Sequence, residues 1–250
     1  MDLRDEVVVI TGASRGLGEV LAELFSREGC KVVVSATTKE KLDELAARIN
    51  GYAMQADVRE EMQLLQLADR AVKKFGRIDI WVNNAGIRIP HTNIEEIDWN
   101  RAHNMLEVNY FGTAYGTKAA VKYMKSQKSG IIINILSTSA LQGRAKSSAY
   151  VASKYAARGF TDAIRSEVKE DGIKVIGVYP GGMKTNFFDE QTPDDYDKYM
   201  EASTVGEKII DNLKKDDPFC EQRKPDPTKY AVDLFFFRLF LAQGRILSNK

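Results

Sequence analysis

Apolar positions along the chain fall into two alternating kinds of pattern. VVVIT (7–11), KVVVSA (31–36), IDIWVNNAG (78–86), GIIINILS (130–137) and IKVIGVYPGG (173–182) are short, β-branched and almost continuously hydrophobic. Strands covered on both faces read this way, whereas half-exposed strands alternate. Between them lie LGEVLAELFSREG (17–29), KEKLDELAARIN (39–50), EMQLLQLADRAVKKFG (61–76), the long NMLEVNYFGTAYGTKAAVKYMKSQ (104–127) and AYVASKYAARGFTDAIRSEVKEDG (149–172). Their apolar residues recur at helical spacing, and several end on glycine, a common helix stop. GYAMQAD (51–57) reads as one further short strand.

Repeated strand–helix–strand units need right-handed crossovers, which build a parallel sheet with helices on both faces. The pattern therefore predicts an α/β fold over about the first 180 residues, a doubly wound parallel sheet of Rossmann type. A single domain is expected over 1–250, with a core over 5–190, a lid over 183–215 and an aromatic-rich C-terminal extension over 216–250. The charged, proline-bearing KKDDPFCEQRKPDPTK (214–229) reads as a loop within it, and no internal repeat stands out.

Composition narrows the class. Hydrophobic residues make up 44% and charged residues 28%, ordinary for a soluble globular protein. Thirty-six basic against thirty-five acidic residues leave +1, without the basic excess of a nucleic-acid binder. Cys30 and Cys220 lack metal-ligand spacing and fit reduced thiols in a cytoplasmic protein. His91 and His103 have no partners at metal spacing, so no metal site is expected. No secretion signal opens the chain, and Asp233 and Arg238 interrupt its longest apolar run, YAVDLFFFRLFLAQGRIL, so no transmembrane segment is expected.

TGASRGLG follows the first strand directly and opens a helix, with glycines at 12, 16 and 18. Glycine lets a pyrophosphate lie against the backbone, and the helix N-terminus supplies free N–H donors. A turn that merely needs glycines is the plain alternative, and the strand-before, helix-after context weighs against it. Gly12, Ser14, Arg15, Gly16, Leu17, Gly18 and Thr37 are thus candidates for holding a dinucleotide. The second strand ends in Ala36 and Thr37, where an acid would bond a ribose 2′-hydroxyl and repel a 2′-phosphate. With Arg15 in the loop, the expectation is NADP(H) rather than NAD(H). Lys39 lies nearby but reads first as a helix-start charge.

Tyr150 and Lys154 share a helix face one turn apart. A free phenol has a pKa of about 10 and is a poor base at neutral pH, but a neighbouring ammonium stabilises its phenolate. Ser137 ends the preceding strand, and Asn109 lies within the helix before it.

In this order, TGASRGLG, Asp57–Val58, NNAG (83–86), Asn109, Ser137, YVASK (150–154) and YPGGMKT (179–185) closely resemble the short-chain dehydrogenase/reductase family over roughly residues 5–190. The resemblance implies hydride transfer between a nicotinamide and a small carbonyl or secondary alcohol. It makes Tyr150 the general acid/base, Lys154 the residue that lowers its pKa and binds the nicotinamide ribose, Ser137 a hydrogen-bond partner of the substrate oxygen, and Asn109 the holder of a relay water. It further implies that Asp57 and Val58 line the adenine pocket, that Asn83, Asn84, Ala85 and Gly86 flank the cofactor, and that Pro180, Gly181 and Thr185 close over the nicotinamide. A non-catalytic nucleotide-binding sensor on the same fold is the alternative.

The Gly-rich C-terminal segment of many relatives is missing, which leaves the expected homodimer or homotetramer without its usual closing strand. The aromatic tail is expected to pack against the body or a second subunit, in preference to peripheral membrane contact. In MKTNFFDEQTPDDYDKYM (183–200), Met183, Phe187 and Phe188 are candidates for an apolar substrate wall or for packing the lid onto the body, while Arg88, Arg144 and Lys146 read first as solvated loop charges, with an acidic substrate group as the alternative partner.

Overall fold

The computed structural model describes residues 1–215; the aromatic tail, Cys220 and the interface expected of them lie outside the described residues. Six strands form one parallel sheet in the order β3-β2-β1-β4-β5-β6. They are β1 (Val7–Thr11), β2 (Lys31–Ala36), β3 (Tyr52–Gln55), β4 (Ile80–Asn83), β5 (Gly130–Ile135) and β6 (Ile173–Val178). The order reverses between β1 and β4, and at such a switch the diverging loops open a crevice beyond the strands' carboxyl ends.

The continuous apolar runs are explained by the two faces. In β1, Val8 and Ile10 point to one side, where they pack with Leu21 and Phe25 of α1 (Gly16–Arg27), Leu42 and Leu45 of α2 (Lys39–Ile49), and Ile209 and Leu213 of α7 (Ala202–Lys214). Val9 points to the other, among Leu64 and Leu67 of α3 (Glu61–Phe75) and Ala119, Ala120 and Met124 of α5 (Gly112–Gln127). All of these are buried. Covering each strand on both faces removes the polar alternation that would mark a solvated side.

Two expected helices differ in detail. The segment around 104–127 is not one helix: α4 (Trp99–Leu106) passes through a π-helical turn, Glu107–Phe111, into α5. The pattern at 149–172 yields α6 (Ser148–Glu167) and a separate 3₁₀ turn, Lys169–Asp171. Past β6 the chain makes a small two-stranded pairing, β7 (Met183–Lys184) with β8 (Met200–Glu201), which ties the two ends of the lid together. Among the described residues, no helix is long and apolar enough to cross a membrane.

Candidate active site

The crevice at the switch point is a cleft of about 940 Å³. One wall is the turn between β1 and α1. Gly12 adopts φ +64°, and a Cβ there would lie 2.6 Å from the Ala85 Cα, so only glycine lets the two loops meet. Asn84 Nδ2 donates to the carbonyls of Thr11 and Gly12, both at 3.0 Å, and the Asn84 N–H donates to Thr11 Oγ1 at 3.1 Å. The loop after β4 is thereby fixed to the turn. Arg15 precedes α1 in extended backbone with no side-chain cap, so the helix's first N–H groups face the cleft without a side-chain acceptor.

Gly12, Ser14, Arg15, Gly16, Leu17, Thr37, Asp57, Val58, Asn84, Ala85, Gly86, Ser137, Tyr150, Lys154, Pro180, Gly181 and Thr185 all line this cleft. Three of the expected residues stand behind the wall. Gly18 packs where a side chain would strike the Gly12 carbonyl and the Asn84 amide. Asn109, 1% exposed, clamps Ile87: its Oδ1 accepts from the Ile87 N–H and its Nδ2 donates to the Ile87 carbonyl, both at 2.9 Å. Nδ2 also donates to Ser153 Oγ at 3.0 Å on α6. Asn83 is likewise turned inward, 3% exposed, accepting from Trp81 Nε1 and donating to Thr117 and Asn134. Lys39 pairs with Asp43 on its own helix and is no part of the cleft.

β5 and α6 bring the polar centre together. Ser137 follows β5, is 9% exposed, and its Oγ accepts from the Ser139 N–H at 3.1 Å, so Ser139 orients the hydroxyl. Ser137 is close enough to Tyr150 to favour the phenolate, as are the charges of Arg88 and Arg144, but burial outweighs them and pushes the phenol up to about 12. Lys154, 5% exposed, donates to the Ile135 carbonyl at 3.2 Å with its Nζ 5.9 Å from the Tyr150 ring centroid. Burial brings its ammonium down to about 8. The residues of the chain by themselves therefore hold a protonated phenol beside an easily discharged lysine.

Residues 6–196 match the short chain dehydrogenase family. The chain belongs to the short-chain dehydrogenases/reductases. It is 36% identical over 191 residues to an uncharacterized oxidoreductase of Staphylococcus saprophyticus, covering 74% of this chain and 81% of the relative. A second uncharacterized oxidoreductase, from Staphylococcus aureus, is 33% identical over 213 residues, covering 83% and 90%. Among solved structures, a 3-ketoacyl-(acyl-carrier-protein) reductase from Brucella melitensis complexed with NADH aligns with a TM-score of 0.79 at 26% identity, over 83% of this chain and 90% of that one. An alcohol dehydrogenase from the archaeon Thermococcus sibiricus complexed with 5-hydroxy-NADP gives 0.78 at 25%, over 85% and 92%. As a short-chain dehydrogenase/reductase, the chain is an oxidoreductase.

Several lining residues escaped the sequence reading. Arg59 forks onto Asp57, with Nε 3.0 Å from both carboxylate oxygens, and holds that acid ionised well below its usual range. Its NH1 donates to Asn104 at 2.7 Å. Asp57 was expected in the cleft, but the sequence did not show that Arg59 would face it as well. Over the opposite end hangs the lid, with Phe187 edge-on to Tyr150 at 6.1 Å and Phe188 packed against Tyr199 at 5.2 Å. The lid is fastened to the loop after β4 where Arg88 donates to Gln191, and to α4 where Arg101 pairs with Glu190.

Proposed function

We propose that this short-chain dehydrogenase/reductase is an NADP(H)-dependent enzyme interconverting a carbonyl compound and its alcohol, with Tyr150 as general acid/base. The observation that carries this reading is the convergence of Ser137, Tyr150 and Lys154 in the cleft that the Gly12–Gly18 turn opens onto. A bound nicotinamide supplies or accepts the hydride. Tyr150 gives the proton to the substrate oxygen, and Ser137, oriented by the Ser139 amide, donates a second hydrogen bond to it. Lys154, held by the Ile135 carbonyl, supports the charge that develops on the departing phenol proton's oxygen. Asn109 acts as a positioning residue, fixing Ile87 and through it the loop that carries Gly86.

The glycine turn lining the cleft and the uncapped N-terminus of α1 support a dinucleotide here, and structural neighbours are complexed with NADH and an NADP derivative. Arg15 and Thr37 support the 2′-phosphate form, since Arg15 has no acidic partner among the described residues and no acid follows β2. The test is NADPH and NADH consumption over a panel of ketones and aldehydes with wild type and Tyr150→Phe. Turnover that favours NADPH and falls by at least about a hundredfold in the variant is expected. Tight NADPH binding with no turnover across the panel would instead support the nucleotide-sensor alternative.

A further inference from the structure

Proton transfer at Tyr150 does not account for the cations around it. Arg88 and Arg144 come from different loops, line the same cleft and both act electrostatically on the phenol. Lys146, similar to them in sequence, does not reach the cleft wall. Arg88 is rigidly presented: its guanidinium carbon lies 5.0 Å from the Phe188 ring centroid, and its two terminal nitrogens donate to the Gln191 carbonyl at 3.0 Å and to Gln191 Oε1 at 3.2 Å. A guanidinium has five N–H donors, so this anchoring leaves others for a ligand.

The carboxylates of the cleft do not neutralise the pair. Asp57 is held by Arg59, while Asp195, which also lines the cleft, can offset only one of the two guanidinium charges. Glu190, next along the lid, is taken by Arg101. Arg144 has no carboxylate partner among the described residues. Burial and the two arginines together depress the pKa of His91, the remaining basic group at this end.

We propose that the substrate is an oxo acid or the matching hydroxy acid, whose carboxylate is received by Arg88 and Arg144 while its carbonyl lies at Tyr150 and Ser137. This rests on the oxidoreductase reading above. The carbonyl π bond is broken by hydride from the nicotinamide and a proton from Tyr150, forming C–H and O–H, and the carboxylate passes through unchanged. Phe187 and Phe188 cover the apolar body between the two ends.

The test uses full-length protein with NADPH and matched carbonyl compounds: an oxo acid, its methyl ester and an analogue with phosphate in place of carboxylate. In wild type, kcat/KM for the acid should exceed that for the ester by about tenfold or more, and the excess should shrink with added salt. Arg144→Gln should lower the acid-to-ester ratio by about ten- to a hundredfold, mainly through KM, and Arg144→Lys should restore part of it. An equal rate for acid and ester in wild type overturns the proposal and leaves the oxidoreductase reading standing. So does an acid-to-ester ratio that survives Arg144→Gln. A preference for the phosphate analogue reassigns the site to phosphorylated substrates and overturns the carboxylate assignment. If no carbonyl is reduced, the oxidoreductase reading fails, and thermal shift with the same acid and ester decides: acid-selective stabilisation lost in Arg144→Gln supports the anion site, and its absence overturns it.

Discussion

Lys154 shows how a single side chain trades stability for chemistry. Its ammonium is buried against a backbone carbonyl rather than a carboxylate, and burial lowers its pKa from 10.5 to about 8. The fold therefore favours the neutral amine, and the penalty for the charged form is present in full below about pH 8 and vanishes as pH rises toward the unfolded value. Lys154→Met should accordingly raise stability at pH 6.5 by about 2 kcal/mol while cutting turnover at least about a hundredfold. Thermal melts together with steady-state rates check this, and a variant less stable than wild type at that pH would refute the burial account. For wild type, kcat/KM for NADPH in carbonyl reduction should fall above about pH 8, since that parameter reports groups on the free enzyme. Tyr150, pushed up to about 12, stays protonated across the same range, as the proposed acid role in carbonyl reduction requires.

At the scale of elements, what places α6 is a buried polar ladder. Trp81 Nε1 donates to Asn83 Oδ1 at 2.7 Å, Asn83 Nδ2 donates to Asn134 Oδ1 at 2.9 Å, and Asn134 Nδ2 donates to Thr161 Oγ1 on α6 at 2.9 Å. Every member of this chain is 3% exposed or less, so each bond lost leaves an unpaired group in a dry interior. Asn134→Ala should cost about 2–4 kcal/mol in denaturant unfolding, several times the usual effect of a surface substitution. A loss below about 0.5 kcal/mol would show that the ladder is not what anchors the helix. The neighbouring π-helical turn at Glu107–Phe111 has a comparable local role. It carries Asn109, whose side chain reaches Ile87 and Ser153 at once, joining the loop after β4 to α6.

Over the whole molecule, the sheet and most of the cleft were legible because both are written in local pattern. Unbroken β-branched runs mark strands with two covered faces, and TGASRGLG or YVASK carry their chemistry within a few residues. What was not legible depends on side chains meeting across long sequence separations. Asn83 reads like its neighbours Asn84 and Ala85 yet turns inward, because Asn134, 51 residues on, accepts from it. Arg88 reads as a solvated charge until Phe188 and Gln191, about a hundred residues later, fold over it. The same holds at the far end of the sheet, where Glu6 meets Asp79. Asp79 accepts from the Val7 N–H at 2.9 Å and from Arg77 Nε at 2.6 Å, and it is 6% exposed. Burial, followed by the hydrogen bond to Asp79 and its charge, raises Glu6 from 4.5 to about 7. Because the folded value lies above the unfolded one, this stabilisation is complete below about pH 4.5 and is lost as pH rises through about 7. Asp57, Asp69 and Asp171 are shifted the opposite way, so their contributions are lost only in more acidic solution. Glu6→Gln keeps a hydrogen-bond donor for Asp79 at every pH. It should therefore be more stable than wild type at pH 8, by about 1 kcal/mol after allowing for the partial exposure of Glu6, and equal to it near pH 4.5. Urea midpoints of the two proteins across that range isolate the pair, since every other titrating group is common to both. Parallel curves would mean that Glu6 and Asp79 do not share a proton in the folded state.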